Sequence, residues 1–313
     1  MPPPIPANGM PNGTPGSLVA FGDATPAPLG LWAPGRLMTM LTRDPPAMVA
    51  AVTLAVIALA AVLAPWLAPF DPAQLFDVES GAQPPSAHHW LGTDPLSRDL
   101  LSRLLFGARL SLGISVLAVA IATTLGTAWG AIAGYAGGWI DRVLMHVVNT
   151  GLAIPRILLL LGIVALWGGL STGSLVLVLG LTGWFGASRL VRAQVRATRE
   201  TDFAAAARAT GATPSRVLVR HVLPHAVTPM LVAATLGVGQ VVILEAGLAF
   251  LGYGVAPPAA SWGSLIRDGR LVLGTAWWMS VFPGIALAAT VLAINVLGDR
   301  LRAALGAHQL HAP

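Results

Sequence analysis

The stretch TDFAAAARATGATPSRVLVRHVLP, Thr201 to Pro224, lies between two long apolar segments yet carries Arg208, Arg216 and Arg220. Asp202 is suited to cap a helix N-terminus, and the run from Ala204 to Ala209 favours helix strongly. Gly211 suits the left-handed position that closes a helix. Thr213 followed by Pro214 offers a fresh N-cap with proline at the first helical position. A second helix is expected to run to about Val222 and to end before Pro224. The local expectation is helix, turn, helix, lying on a membrane surface.

The rest of the composition agrees with a membrane setting. Of 313 residues, 55% are hydrophobic and only 10% charged, and the mean hydropathy is +0.73. An ordinary soluble domain would have about a quarter of its residues charged. The chain reads as a polytopic membrane protein. It has no cysteine, which excludes disulfides, thiolate nucleophiles and Cys metal sites. It also has no lysine, so all 18 basic residues are arginine. A phosphate-binding loop ending in Gly-Lys-Ser/Thr is therefore excluded, and if ATP drives this protein, another chain binds it. The net charge of +5 could suggest nucleic acid. The arginines cluster beside apolar spans instead, as the positive-inside rule explains, so no nucleic-acid partner is expected.

Six spans are expected. Residues Met1 to about Gly35 are rich in Pro, Gly and Ala and are expected to be disordered. They lack the pattern of a signal peptide and are expected to remain attached. The first span runs from about Ala47 to Leu67, long enough to cross roughly 30 Å of hydrocarbon. Arg36 and Arg43 precede it, while Asp71, Asp77 and Glu79 follow, which puts the N-terminus in the cytoplasm. Trp66 sits at the outer interface. Between Ala68 and Arg109 the chain is polar, and Leu100, Leu101, Leu104 and Leu105 form one apolar face of an expected amphipathic helix on the outer surface. His88 and His89 leave two readings open, a metal site or an exposed loop pair. The second span is about Leu110 to Tyr135, where Gly126, Gly130, Ala131 and Gly134 allow close helix packing.

The third span, about Val143 to Trp167, contains Asn149, Pro155 and Arg156. The fourth, about Leu170 to Arg189, is followed by Arg192, Arg196 and Arg199 at helical spacing, which marks the cytoplasmic side. The fifth, about Pro229 to Leu251, has Glu245 as its only charge. The sixth, about Trp277 to Leu297, is followed by Arg300 and Arg302, which place the C-terminus inside. Arg156 and Glu245 sit at similar depths of roughly 20 and 24 Å from the cytoplasmic ends of their spans. Ionisable groups at such depth are candidate functional residues. Two readings stay open for them: partners of one another or residues of one watery lumen, or, for Arg156, a structural arginine reaching a carbonyl or an acid.

Thr201 to Pro224 resembles the EAA loop of ATP-binding-cassette importer permeases. Ala206, Ala207, Gly211, Leu223 and Pro224 match that pattern at its spacing. Ala205 stands where the family has Glu, and His221 where it has an apolar residue. Two further strings resemble the dipeptide, oligopeptide and nickel branch of that family. One is LGTDPLSRDLLSRLLFGAR before the second span. The other, LEAGLAFLGYGVAPPAASWGS, is the most specific, with Glu245, Phe250, Gly252, Gly254, Pro257, Pro258, Ser261, Trp262 and Gly263 fitting. The branch usually has an acid where Asn149 stands, before Ala-x-Pro. The resemblance covers about Ala47 to Leu305.

The resemblance implies an all-α membrane protein with six transmembrane helices, the type I importer permease fold, and both termini cytoplasmic. It implies a division into a 1–40 extension, a first helix with an extracytoplasmic segment (41–109), a permease core (110–305) holding a coupling loop at 201–224, and a 306–313 tail. Asp202, Ala205, Ala206, Ala207, Gly211, Leu223 and Pro224 would form the contact with ATPase subunits. Asn149, Arg156 and Glu245 are the pathway candidates. The implied partners are a second permease subunit, two ATPase subunits that bind ATP and Mg, an extracytoplasmic substrate-binding protein and membrane lipid. The location implied is a bacterial inner membrane, and the cargo a di- or oligopeptide, with a nickel chelate or other small solute as the alternative. No catalytic residue, cofactor or metal is expected in this chain. Two other classes compete. An ion-coupled secondary transporter could use Glu245 with Arg156. A membrane protease would need a catalytic set such as HExxH, which the sequence lacks.

Overall fold

The computed structural model describes residues 44–167 and 171–306. The expectations for the N-terminal extension, including Arg36 and Arg43, and for the tail beyond residue 306 lie outside the described residues. Among the described residues every regular element is helical.

Helix α1 (Pro45–Val62) opens with proline in its first turn, where the missing N–H would be unpaired anyway. It stops at Leu63 because Pro65 begins a separate single turn, α2 (Ala64–Leu67). At 1.5 Å per residue α1 spans about 27 Å. Val49, Val52, Val56, Leu59 and Val62 face outward, an apolar surface suited to lipid.

Helix α3 (Leu100–Ala136) runs unbroken for 37 residues. The outer amphipathic helix expected before the second span is therefore the first turns of that span. No proline interrupts it, and the side expected to face water is buried too, including Ser102 and Arg103. Their partners come from the preceding loop. The Asp99 carboxylate caps α3 by accepting from Ser102 N at 2.8 Å. Asp94 accepts from the Leu96 and Arg98 N–H groups and pairs with Arg98 at 2.7 Å. Gly92, at φ +82°, leaves room for Trp278, whose Nε1 donates to Thr93 O at 3.1 Å. His89 pairs with Asp99 at 3.0 Å and stacks against Phe70 and Phe76. The ring is thus committed to the loop's own packing.

Helix α6 (Thr172–Arg199) lies along α3. A Cβ at Gly126 would sit 2.5 Å from Ala187 Cβ, one at Gly130 would strike Ser188 O, and one at Gly134 would sit 2.7 Å from Arg192 O. The expected small-residue packing is real, and α6 is the partner. Both residue series ascend together, so the two helices are parallel. The chain must then recross the membrane between them. It does so through α4 (Gly138–Ala153) and α5 (Arg156–Trp167), which meet at an 85° bend. The third span is therefore a broken one. Ile154 is extended ahead of Pro155, the conformation a following proline demands.

Two short helices, α7 (Asp202–Ala209) and α8 (Pro214–Val217), precede α9 (Leu223–Phe250). The second helix does not end before Pro224. It passes into α9 through a π-helical segment, Leu218–Val222, in which Leu223 N donates to Leu218 O. Proline lacks an N–H and crowds the carbonyl four residues back; the wider π turn accommodates both. The loop after α9 then carries α10 (Trp262–Arg270), and α11 (Trp278–Gly306) closes the bundle. Arg300 pairs with Asp44 at 3.0 Å, so the start of α1 and the end of α11 lie on one side, as an even number of crossings requires.

Candidate functional site

The α7–α8 hairpin has an inner and an outer face. Ala204, Val217 and Val222 are buried against Ala131 of α3 and Val191 and Val195 of α6. Asp202, Ala205, Ala206, Arg208, Ser215 and Arg216 are exposed, while Ala207, Leu223 and Pro224 are half-buried. The N-cap of α7 is Thr201 rather than Asp202, which sits in the first turn, where its charge still suits the helix dipole. Thr201 makes no capping bond because its hydroxyl donates to Thr198 O at 2.6 Å.

Gly211 closes α7 at φ +84°. Its N–H donates to Arg208 O at 3.0 Å, and Ala212 N donates to Ala207 O at 3.2 Å. This pair of bonds is the Schellman closure, and its left-handed residue favours glycine. Thr213 and Pro214 start α8 as expected. Arginines tie the hairpin's base to the bundle. Arg192 forks onto Asp141 with bonds of 2.5 and 2.6 Å. Arg199 donates to Tyr135 O at 2.5 Å, and Arg208 to Arg199 O at 3.0 Å. Read from sequence, Arg192 and Arg199 mark a membrane side; in the fold they also fasten α6 to α4 and α3.

A cavity of about 270 Å³ lies among the middle turns of α3, α6 and α9. Arg156 enters it from the start of α5, with Thr123, Gly183, Gln240 and Arg302 also lining it. Arg156 Nη2 donates to Leu179 O at 2.8 Å, while its buried Nε has no hydrogen-bond partner. Gly183 lets the guanidinium lie across α6, since a Cβ there would come within 2.8 Å of Nη2.

Glu245 is 0% exposed and lies away from that cavity. One carboxylate oxygen accepts from Ser111 Oγ at 3.1 Å, and that same hydroxyl accepts from Trp262 N at 3.2 Å. Ser261 is close to the carboxyl group, but Oε1 completes no hydrogen bond. Glu245 thus joins α9 to α3 and to the start of α10.

Residues 126–309, more than half of the chain, match the family described as binding-protein-dependent transport system inner membrane component. The chain belongs to that family. The permease also matches, over residues 35–85, the N-terminal transmembrane domain of oligopeptide transport permease C. It is 42% identical over 224 residues to the dipeptide transport system permease protein DppC of Alkalihalophilus pseudofirmus, covering 71% of this chain and 73% of that one. It is 38% identical over 259 residues to the glutathione transport system permease protein GsiD of Escherichia coli O6:K15:H31, covering 83% and 85%. Its fold is similar to that of the MetNI methionine ABC transporter in inward-facing conformations. The TM-score is 0.54 at 21% identity, over 64% of this permease and 95% of that chain. Membership makes this permease a multi-pass membrane transport subunit that is not itself catalytic.

The pathway candidates separate. Arg156 lines the cavity, Glu245 is buried away from it beside Ser111, and Asn149 is exposed on α4 without lining the cavity. Arg156 and Glu245 do not pair, because Arg156 lies beside Gly183 and Ala122 while Glu245 lies beside Ser111, about 16 Å away along α3. Arg156 reaches a carbonyl, one of the readings left open for it, and also lines a cavity. Ser111, Gly183 and Gln240 carry no warning in the sequence. Ser111 is one hydroxyl in an apolar helix, and Gly183 is one of many glycines.

Proposed function

We propose that this permease forms half of the membrane pathway of an ATP-driven importer for di- or oligopeptides. A second permease subunit completes the pathway. Two separate ATPase subunits bind ATP and magnesium, and an extracytoplasmic binding protein delivers the cargo. The observation that carries this reading is the exposed hairpin from Asp202 to Pro224. Its inner face is packed on α3 and α6, so a push on its outer face is transmitted to two spans at once. Asp202, Ala205, Ala206, Ala207, Gly211, Leu223 and Pro224 belong to this coupling element. Ala205 is exposed, so the side chain at the family's Glu position points outward here. The basic end of the bundle, with the hairpin, the start of α1 and the end of α11, is cytoplasmic by the positive-inside rule.

Family membership supports the transport role, and the dipeptide and glutathione relatives support the peptide cargo. The location that follows is a bacterial inner membrane. The test is uptake of labelled alanyl-alanine by proteoliposomes holding the full complex and its binding protein. ATP inside the ATPase-accessible compartment should drive uptake. Uptake driven by an ion gradient without ATP would instead identify a secondary transporter.

A further inference from the structure

The cavity around Arg156 contains two arginines, Arg156 and Arg302, and no aspartate or glutamate among the described residues lining it. It runs from the middle turns of three spans, where Arg156 lies, toward the end of α11 at Arg302, and at the Arg156 end an uncompensated charge is costly. The bond to Leu179 O satisfies one guanidinium nitrogen. Nε is buried and unpaired, and among the described residues Arg156 takes part in no ion pair. A cation kept in this condition fits a site whose anion arrives with the cargo.

We infer that Arg156 binds a carboxylate of the transported molecule inside this cavity. The inference rests on the importer reading and narrows its substrate class to molecules with a free carboxylate, such as a peptide C-terminus. The guanidinium presents a planar fork of donors that matches a carboxylate. Arg156 also opens the 12-residue helix α5, whose N-terminal dipole favours negative charge. Thr123 and Gln240 provide polar contacts for a peptide group. Val119, Met230 and Val241 provide apolar wall for side chains, the mixture expected of a small-molecule site. At about 270 Å³, the volume suits a short peptide or the end of a longer one.

The test measures equilibrium binding of labelled alanyl-alanine to the complete permease–ATPase complex in nanodiscs, without the binding protein, so that only the membrane site selects. Alanyl-alanine amide, which lacks the carboxylate, should bind about tenfold more weakly. Arg156→Gln should weaken the acid by about the same factor and leave the amide unchanged. Arg156→Lys, which keeps the charge but loses the fork, should fall between. Equal binding of acid and amide to the unaltered complex would overturn the inference, with no variant needed. So would an Arg156→Gln complex that loses both ligands equally, the mark of a structural role. If the complex with its binding protein imports alanyl-alanine but the nanodiscs show no saturable binding, the inference falls and the importer reading stands. If no peptide is imported, both fall.

Discussion

Ser111→Ala removes one hydroxyl at the point where three helices meet. Ser111 donates to Glu245 at 3.1 Å and accepts from Trp262 N at 3.2 Å, and Ser111 and Glu245 are fully buried. Interhelical hydrogen bonds within membranes average about 0.6 kcal/mol and reach about 1.7. Stranding the buried Trp262 N–H adds about 1–3 kcal/mol. The sum is a loss of roughly 2–5 kcal/mol. Ser115→Ala is the matched control. Ser115 is equally buried, but its hydroxyl donates only to its own helix, to Ser111 O at 2.8 Å. It should cost less than about 1 kcal/mol. The measurement is reversible unfolding of the purified permease in mixed micelles, followed by tryptophan fluorescence. Glu245→Leu should cost much less in the Ser111→Ala background than alone, with a coupling of about 0.5–3 kcal/mol. A Ser111→Ala loss no larger than that of Ser115→Ala would refute the account of this junction.

Arg156→Leu and Glu245→Leu, in contrast, should combine additively to within about 0.5 kcal/mol, since they share no partner; a double variant that recovers stability would restore the pairing. Gly211→Val forces a β-branched residue to φ +84°, so ATPase stimulation by the permease should fall while membrane insertion is kept; normal stimulation would remove this turn from the coupling path. Gly130→Val drives a side chain into the backbone of α6 and should cost about 1–3 kcal/mol or more. Gly113→Ala, which meets nothing within 4 Å, should be neutral or stabilising by up to about 1 kcal/mol. In this cysteine-free chain, Ser86→Cys should react with an impermeant thiol reagent from outside sealed cells and Ser215→Cys only from inside; the reverse pattern would invert the orientation. Ser261, only 1% exposed, is unsuited to that assay despite its place in the loop after α9.

Sequence alone determined the membrane class, the apolar spans, the glycine turn at Gly211 and the second helix start at Thr213 and Pro214. These are local properties. Hydropathy over about twenty residues, a required positive φ and a proline at a helix start are each readable within a short window. Tertiary structure decided the rest. The α4–α5 pair could be recognised as one broken crossing only once α3 and α6 were seen to run parallel. Pro224 suggests a helix end when its neighbours are unknown, yet a π turn carries the helix through it. Counting residues along straight spans predicts similar depths for Arg156 and Glu245, but the 85° bend between α4 and α5 breaks that count for Arg156. Rotation of each helix about its own axis is set by packing, here by Gly183 clearing a path for Arg156 to Leu179 and by Ser111 and Trp262 closing over Glu245. In the bundle Arg156 lies at the level of Ala122 and Glu245 at that of Ser111, about 16 Å apart along α3, and only the assembled structure assigns those levels.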